Sequence, residues 1–433
     1  MKNFKKVLAL VLAIATLLSF ATVASAATAD FKDAADIKYT EAVDVLSAIK
    51  VLEGYPADNT YKPAKNITRE EAAKIIAIFA NKSADISSLY TSANPFADEK
   101  GRWGESYVAY GYRAGIIAGK SATQFKPTAN VKGTEFLKMV LVVLGYDQNK
   151  EGLVGSSWAV NTLELAKAKS LMAGLPSTWD ANAALTRDEA AQIMLNALKA
   201  ETVVYGQTVT NLVYNTVTKT WGVTNATSAA AVYVSPNGAQ NNYNHTLLAA
   251  GFGLTLAGTQ DAWGRPTHTW TKGATVIGEY VDSDKLLATF KTAVSECDIA
   301  KAAGFKANKV LDLYVNGNKS TDTVRPTATT TYMGAQGRLT EVYTDRIVMI
   351  DTFLAQVTNV TVAKYDAAGH KVNNATVTLK VYDKATVNNN ATTTTGDFTS
   401  VVLESAVNYT YVQGDYVLVN ATTVAADSNR IAA

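Results

Sequence analysis

Asn66-Ile67-Thr68-Arg69-Glu70-Glu71-Ala72-Ala73-Lys74 is the stretch that predicts how the first half of the chain folds. Thr68 is a favourable N-cap, because its hydroxyl can accept a hydrogen bond from an unpaired N–H of the first helical turn. Glu71 stands three residues later, where its carboxylate can accept from the N–H of the cap residue. Apolar residues follow at helical spacing, at Ala72, Ile75, Ile76 and Phe79. A capped amphipathic helix is therefore predicted from this stretch.

The same signal occurs twice more. Leu185-Thr186-Arg187-Asp188-Glu189-Ala190 is a full copy, and Val131-Lys132-Gly133-Thr134-Glu135-Phe136 is a degraded one. In the degraded copy Lys132 replaces the cap threonine and Gly133 replaces the arginine. Three copies in one chain predict a repeat architecture. Each unit consists of a helix, a glycine-bearing loop and a second, capped helix. One such pair cannot bury its own apolar face, so the three units must pack together.

Other elements of the unit recur in the same order. Phe31-Lys32-Asp33 and Phe96-Ala97-Asp98 open the first two units, whereas the third lacks this opening. An aromatic residue stands at a matching place in each unit, at Tyr39, Trp103 and Trp158. Short extended pieces, Tyr61-Lys62-Pro63 and Phe125-Lys126-Pro127, precede the second helix of the first two units.

The N-terminus predicts export. Lys2, Lys5 and Lys6 precede an apolar run from Val7 to Phe20, and Ala24-Ser25-Ala26 fits a signal-peptidase cleavage site. We therefore expect 1–26 to be a signal peptide. No later stretch predicts a membrane span, so if the exported protein stays at the cell, a different feature must hold it there.

Composition excludes some partners. The chain has 40 basic and 38 acidic residues. Removal of the three signal-peptide lysines leaves 37 basic residues, so the formal charge of the mature chain is −1. No basic stripe stands out, which argues against a nucleic-acid partner. The single cysteine, Cys297, rules out an intrachain disulfide. No spacing typical of a metal site is present, and no cofactor is expected.

Taken together, the repeated elements resemble the S-layer homology family. The resemblance covers roughly 180 residues, is complete in the first unit and has losses in the other two. It implies a pseudo-threefold helical bundle whose grooves bind secondary cell-wall polysaccharide, often with a pyruvylated terminal sugar. It also implies attachment to the wall of a Gram-positive-type bacterium.

The residues needed to hold an acidic sugar can be named. Arg69 and Arg187 lie at the first turn of a helix, where their charge opposes the helix dipole, which indicates another duty. Arginine can bind a carboxylate at two points. Tyr39, Trp103 and Trp158 are candidates for stacking on a sugar ring, with a role as core aromatics left open. Asp33 and Asp98 are candidates for accepting hydrogen bonds from sugar hydroxyls. A role as turn or cap residues is left open.

The middle copy predicts a weak site. Gly133 stands where the arginine belongs, and Lys132 supplies only a looser point charge. We expect the groove that uses this copy to be weak or empty, and Lys132 to contribute little.

From about residue 206 the pattern changes to short alternating runs rich in Thr, Val, Asn and Tyr. Strands are predicted at 208–214, 231–234, 310–315, 375–382 and 416–419. A helix is predicted near Lys285 to Ala303. The turn signals Pro236-Asn237-Gly238 and Asn316-Gly317-Asn318 favour β-sandwich or barrel-like modules. A boundary near 325–335 would divide this half into two modules.

The complete prediction is a multidomain α + β chain. Its parts are a signal peptide (1–26), three S-layer homology repeats (27–90, 91–150, 151–205) and a β-rich region (206–433). The predicted function is that of a secreted, non-enzymatic S-layer or S-layer-associated protein with self-association in a surface lattice. The alternative is an anchored glycan hydrolase or peptidase with its active site in 206–433, where no H-E-x-x-H or G-x-S-x-G is found. A carbohydrate-binding module would need exposed aromatics, and Trp263 and Trp270 are the candidates.

Overall fold

The computed structural model describes most of the chain after the predicted signal peptide. The described residues are 27–83, 95–205, 208–215, 220–227, 231–232, 247–306, 309–324, 332–333, 338–366, 371–382, 398–405, 409–420, 422–423 and 431–432. The signal peptide, the turn at 236–238 and the start of the proposed 325–335 boundary lie outside them. The chain divides into two units, one reaching to Leu256 and including Trp270–Gly278, the other formed by Ala257–Thr269 and the chain from Glu279.

The first unit is mainly helical, and its helices follow the predicted order. Six α-helices are described there: α1 Thr40–Ala48, α2 Arg69–Asn81, α3 Glu105–Arg113, α4 Gly133–Val143, α5 Trp158–Ala168 and α6 Arg187–Leu198. Short 3-10 turns at Ala27–Asp30, Ala34–Asp36 and Ala97–Glu99 precede α1 and α3.

Both predicted capping boxes are present. The hydroxyl of Thr68 accepts from the N–H of Glu71 at 3.2 Å, and the Glu71 carboxylate accepts from the N–H of Thr68 at 2.8 Å. Thr186 and Glu189 make the same pair of bonds at 3.3 and 2.9 Å. The cap of α4 has only the second half, in which Glu135 accepts from the N–H of Lys132 at 3.3 Å. A lysine side chain has no acceptor with which to supply the first half.

The three segments before α2, α4 and α6 close a ring of backbone hydrogen bonds. The N–H of Ile67 donates to the carbonyl of Leu185 at 3.0 Å. The N–H of Leu185 donates to Val131 at 3.0 Å, and that of Val131 donates back to Ile67 at 3.1 Å. All three residues are almost fully buried. The three copies of the sequence signal therefore meet at one place in the fold.

The helices pack in the same cyclic order. The second helix of each repeat packs on the first helix of the next, so α2 contacts α3, α4 contacts α5, and α6 contacts α1. Apolar side chains of these helices are fully buried, among them Leu46, Ile76, Phe79, Leu137, Leu141 and Met194. Each such side chain contributes on the order of 1.5–3 kcal/mol through burial.

The Trp270–Gly278 segment also belongs to the first unit. Trp270 is completely buried, and its indole N–H donates to Glu41 of α1 at 2.8 Å. Lys199 pairs with the same carboxylate at 2.9 Å. Trp270 is therefore a packing residue here and is not available as an exposed sugar platform.

In the described residues after α6, strands predominate and one further α-helix is present, α7 Glu296–Ala303. Its first strands are β1 Val203–Val204, β2 Thr208–Asn215, β3 Thr220–Thr227, β4 Ala231–Val232, β5 Leu254–Gln260, β6 Pro266–Lys272, β7 Thr275–Val281, β8 Leu286–Phe290, β9 Val294–Ser295, β10 Leu311–Val315 and β11 Asn318–Val324. The remaining strands are β12 Tyr332–Met333, β13 Arg338–Tyr343, β14 Arg346–Thr361, β15 Lys364–Tyr365, β16 Lys371–Asn373, β17 Ala375–Tyr382, β18 Phe398–Ser405, β19 Tyr416–Asn420, β20 Thr422–Thr423 and β21 Ile431–Ala432.

The second unit is organised around β14. This strand pairs with β10 and β13 in its first half, in the order β11-β10-β14-β13-β8, and with β17 and β19 in its second half. Phe353, Ala355 and Val357 alternate along β14 and lie in one apolar cluster with residues of β17 and β19. Trp263 is half-buried and packs against a second cluster, which contains Tyr314 and Tyr343. This packing fits the interpretation of Trp263 as part of a structural turn.

The predicted helix from Lys285 to Ala303 is wrong in its first part. Leu286–Phe290 is strand β8, which pairs antiparallel with β13, and the helix begins only at Glu296. Ser295 caps it by accepting from the N–H of Asp298 at 3.2 Å. Apolar residues of β8 face other strands, and this tertiary pairing outweighs local helix preference. None of the helices in the described ranges is both long and apolar enough to cross a bilayer.

Candidate functional site

Arg69 is the first residue of α2, but its side chain extends away from this helix to the next repeat. Its Nε donates to the carbonyl oxygen of Phe125 at 2.8 Å, and its Nη2 donates to that of Ala118 at 2.7 Å. Its Nη1 lies 3.5 Å from the carboxylate of Glu135. The guanidinium carbon stands 4.5 Å from the centre of the Phe125 ring. An arginine of the first repeat therefore binds the loop between α3 and α4 and the first turn of α4 in the second repeat. These contacts account for a position that is unfavourable for the dipole of its own helix.

Arg187 makes the corresponding two backbone hydrogen bonds between the third repeat and the first. Its Nε donates to the carbonyl of Tyr61 and its Nη2 to that of Glu53, both at 2.9 Å. The guanidinium carbon lies 4.8 Å from the Tyr61 ring and 5.0 Å from the Tyr55 ring. Both arginines are almost completely buried. Each arginine therefore joins two neighbouring repeats and also lines a pocket.

Each arginine lines a concave pocket. The Arg69 pocket has a volume of about 310 Å³ and is lined by Arg69, the 116–120 loop, Glu135, Lys138, Met139, Gln148, Val154, Gly155 and Trp158. The Arg187 pocket has a volume of about 190 Å³ and is lined by Arg187, the 51–55 loop, Glu71, Lys74, Ile75 and Trp103. Residues of three repeats therefore meet in each pocket.

The two pockets correspond position by position. Each takes an arginine from the repeat before it, a loop and a helix from its own repeat, and a tryptophan from the repeat after it. The corresponding pairs are Arg69 and Arg187, Glu135 and Glu71, Lys138 and Lys74, Met139 and Ile75, and Trp158 and Trp103. The arginines and tryptophans were predicted from sequence, whereas the two lysines were not. Their signal is a lysine three residues after the capping-box glutamate in both copies.

The charged groups in the pockets are held by specific partners. Lys120 pairs with Glu135 in the Arg69 pocket, and Lys65 pairs with Glu71 at 2.5 Å beside the Arg187 pocket. Burial by itself raises the pKa of each glutamate, but bonds from the lysine and from the cap N–H lower it below its usual value. Burial lowers the pKa of Lys138, whose ammonium lies 5.7 Å from the centre of the Trp158 ring.

The place corresponding to a third pocket is built differently. An added Cβ at Gly133 would lie 2.6 Å from the ring of Trp179, which occupies the position that Tyr61 and Phe125 hold in the other repeats. Gln192 stands where Lys74 and Lys138 stand elsewhere, and it donates to the carbonyl of Ala173 at 3.2 Å. This place therefore has neither the arginine nor the lysine, and Trp179 explains the absence of a side chain at position 133.

Tyr39 and Lys132 are found at this third place. Tyr39 is half-buried at the start of α1, and burial raises the pKa of its hydroxyl, with Asp188 and Glu189 adding to the effect. Lys132 is exposed at the cap of α4. Neither residue lines the Arg69 pocket or the Arg187 pocket.

The two aspartates predicted as sugar ligands accept hydrogen bonds from backbone N–H groups of the loops. The carboxylate of Asp33 accepts from the N–H groups of Tyr61 and Lys62 at 2.8 and 2.7 Å. Asp98 accepts from those of Phe125 and Lys126, both at 2.8 Å. Lys62 and Lys126 have φ values of 59° and 64°, so the carboxylates stabilise a left-handed turn. This geometry fits the interpretation of Asp33 and Asp98 as turn residues. Their role as sugar ligands stays a prediction.

Trp103 is held in place by a buried carboxylate. Glu70 accepts from the N–H of Gly104 at 3.0 Å and pairs with Arg102 at 2.6 Å, so it fixes both neighbours of Trp103. A Cβ at Gly104 would lie 2.3 Å from Glu70, which explains the glycine. Trp103 itself is 55% exposed. Its indole is therefore a positioned surface group, and the core reading is wrong for this residue.

Glu99 lies close to this loop and is unusual. It is fully buried, and neither carboxylate oxygen has a hydrogen-bond partner among the described residues. Burial and the charge of Glu70 raise the pKa of Glu99 to about 7, against the opposing effect of Arg102. In the described residues, no cluster of three or more histidine, cysteine, aspartate or glutamate side chains is arranged to hold a metal ion.

Comparison with known proteins identifies the repeats. Residues 30–73 and 95–137 match the family described as S-layer homology domain. A protein of Bacillus anthracis named as an uncharacterized cell wall amidase is 29% identical over 34% of this chain and 28% of its own length. The S-layer protein of Bacillus licheniformis is 25% identical over 32% of this chain and 16% of its own. The cellulosome-anchoring protein of Acetivibrio thermocellus is 31% identical over 20% of this chain and 19% of its own.

The chain thus spans less than a third of the length of these relatives, whose activities and partners are their own. The matched residues include Asp33, Arg69, Asp98, Trp103 and Glu135, which the geometry above connects. The chain therefore carries domains of the S-layer homology family over residues 30–73 and 95–137, and it is a secreted protein of the cell wall or surface layer.

Proposed function

We propose that the chain is held non-covalently on an acidic secondary cell-wall polysaccharide through the Arg69 and Arg187 pockets. The observation that carries this proposal is the correspondence of the two pockets. Each places a guanidinium, an ammonium and an indole around one concavity. Cations suit the carboxylate of an acidic sugar, such as a pyruvate ketal, and an indole face suits a sugar ring.

The proposed architecture is a pseudo-threefold bundle of three repeats, with domains at 27–90, 91–150 and 151–205. The family match covers the first two. The ring formed by Ile67, Leu185 and Val131 supports the third, because it treats the three copies alike. We propose that the third copy completes the bundle and supplies Arg187, while the pocket it would share with Gly133 is weak or empty.

For residues 206–433 we propose a non-enzymatic, structural role, as one or two sandwich-like modules that form or join a surface lattice. Two acidic side chains of the second unit, those of Asp351 and Asp345, have structural partners. Asp351 accepts from Arg338 and Asn316, and Asp345 pairs with Arg346. The amidase name of one relative favours the alternative of an anchored wall hydrolase. Release of fragments from purified peptidoglycan by the full chain would support that alternative.

The anchoring proposal is tested by sedimentation of the full mature chain with purified native cell walls. Trp103→Ala and Trp158→Ala together should abolish co-sedimentation. Tyr416→Ala, which removes a 61% exposed aromatic far along the sequence, is the matched control and should sediment like the wild type. Unchanged sedimentation of the double variant, with its circular dichroism intact, would remove the assignment of the pockets.

A further inference from the structure

The two pockets have the same plan but differ in charge at two corresponding positions, where Ala118 and Lys120 of the Arg69 pocket correspond to Glu53 and Tyr55 of the Arg187 pocket. The loop carbonyl that accepts from the arginine belongs to Ala118 in the Arg69 pocket and to Glu53 in the Arg187 pocket. Both side chains are exposed, so neither is needed for packing. One pocket therefore has a carboxylate at its rim where the other has a methyl group.

This difference decides which lysine is free. In the Arg187 pocket, Lys74 lies 3.3 Å from the carboxylate of Glu53. In the Arg69 pocket, no carboxylate within the described part of the chain pairs with Lys138, which stands over the indole of Trp158. Both lysines are half-buried, so the pairing is what distinguishes them. An ammonium without a carboxylate partner gains more from a bound carboxylate than one that is already paired.

The full charge count points the same way. Arg69, Lys120 and Lys138 line the first pocket with one carboxylate, that of Glu135. Arg187 and Lys74 line the second pocket with two carboxylates, those of Glu53 and Glu71. Among the lining residues, the Arg69 pocket therefore has an excess of two positive charges, whereas the charges of the Arg187 pocket balance.

The aromatic walls differ as well. Trp158 is half-buried and has an ammonium over its ring, whereas Trp103 is 55% exposed and lies beside Tyr107, with ring centres 6.4 Å apart. An open indole face next to paired charges suits an uncharged sugar ring, which binds through apolar contact and hydrogen bonds.

We propose that the two pockets take different units of the wall polymer. The Arg69 pocket, with Lys138 and Trp158, takes a carboxylate-bearing sugar, and the Arg187 pocket, with Trp103, takes a neutral sugar. This inference rests on the proposed function, since it assigns ligand classes to the same two pockets. It makes anchoring bidentate, with one contact that depends on salt and one that does not.

The test uses the full mature chain with one pocket disabled at a time. Trp103→Ala leaves the Arg69 pocket, and Trp158→Ala leaves the Arg187 pocket. The probes are purified wall polysaccharide in its native form and after carbodiimide conversion of its carboxylates to neutral amides. We expect amidation to weaken binding to the Trp103→Ala chain about tenfold or more, and to the Trp158→Ala chain less than about twofold. Raising salt from 50 to 500 mM should reproduce the contrast.

Exchanging the rim residue provides a matched pair of variants. Ala118→Glu in the Trp103→Ala chain should weaken binding of the native polymer about five- to tenfold, because it pairs Lys138. Glu53→Ala in the Trp158→Ala chain should make binding sensitive to amidation, because it frees Lys74. Both positions are exposed, so folding should be unaffected.

The outcomes separate this inference from the proposed function. Equal loss of binding on amidation in both single-pocket chains, or no effect of the rim exchange, would overturn the inference while leaving both pockets as binding sites. Wild-type binding by the double Trp103→Ala/Trp158→Ala chain would instead overturn the proposed function itself.

Discussion

The Nε of Arg187 donates to the carbonyl oxygen of Tyr61 at 2.9 Å, across 126 residues of sequence. This bond joins the last repeat to the first, as the bond from Arg69 to Phe125 joins the first to the second. The arginines therefore have two roles in one place, since the atoms that hold the repeats together also form the floor of the pockets.

Removing an arginine clamp should cost both stability and binding. Arg69→Ala or Arg187→Ala leaves two carbonyl groups without their charged donor, and we expect a loss of about 2–4 kcal/mol in the free energy of unfolding. Urea denaturation measures it. The double variant should also lose binding to wall polysaccharide. Lys132→Ala, an exposed control, should change stability by less than about 0.5 kcal/mol and leave binding intact. A double variant of wild-type stability would contradict the clamp.

The incomplete cap of α4 can be repaired. Lys132 has the extended backbone of an N-cap, with φ −87° and ψ 153°, and Glu135 already supplies half of the box. Lys132→Thr should therefore stabilise the chain by about 0.5–2 kcal/mol, while Thr68→Ala should cost about 1 kcal/mol. Thermal unfolding of the pair checks both signs. A destabilising Lys132→Thr would show that the lysine has a role beyond the cap.

The third pocket cannot be restored simply by adding a side chain at Gly133. Because its Cβ would lie 2.6 Å from the Trp179 ring, Gly133→Ala should destabilise the chain by about 1–3 kcal/mol, even though alanine favours helices. Gly258 has open space around it, so Gly258→Ala should be near neutral. Calorimetry of the two variants compares them. Equal melting temperatures would mean that Trp179 yields without cost.

Several parts of this fold could be read from the sequence. Thr68 and Thr186 predicted their capping boxes, and Arg69 and Arg187 were singled out because their charge opposes the helix they begin. These signals are local, so a short window contains them. The strand pattern of 375–382 was equally local, and β17 covers these residues.

Other parts depend on contacts across repeats, which no local window contains. Lys138 and Trp158 come together only because the helices pack cyclically. The position of Trp179 at the third place could be predicted only by knowing how the backbone hydrogen bonds align the segments before α2, α4 and α6. Leu286–Phe290 looked helical, because its pairing with β13 is set by residues some fifty positions later. The roles of Asp33 and Asp98 depended on which backbone N–H groups the turn brings to them.

Glu99 should give the protein an unusual dependence on pH. Its pKa in the folded chain is raised to about 7, above the usual value of 4.5, so the folded state holds the proton more tightly than the unfolded state. The stabilisation is complete below about pH 4.5 and is lost as pH rises through about 7. Glu71, Glu135 and Asp98 have lowered pKa values and act oppositely, losing stabilisation as pH falls.

The variant Glu99→Gln isolates this effect, because it keeps the shape and removes the titration. At pH 8 its melting temperature should exceed that of the wild type by about 2–4 °C or more, and the difference should vanish near pH 5. Melting curves from pH 5 to 8 measure it. A constant difference across this range would show that Glu99 does not titrate.

Isothermal titration with an oligosaccharide cut from the wall polymer tests the central claim most directly. For an oligosaccharide that carries both kinds of sugar unit but is too short to span the two pockets, we expect two molecules bound per wild-type chain, one per chain after Trp103→Ala or Trp158→Ala, and none after both substitutions. A stoichiometry of three, or of two in the double variant, would contradict the assignment of wall attachment to the Arg69 and Arg187 pockets.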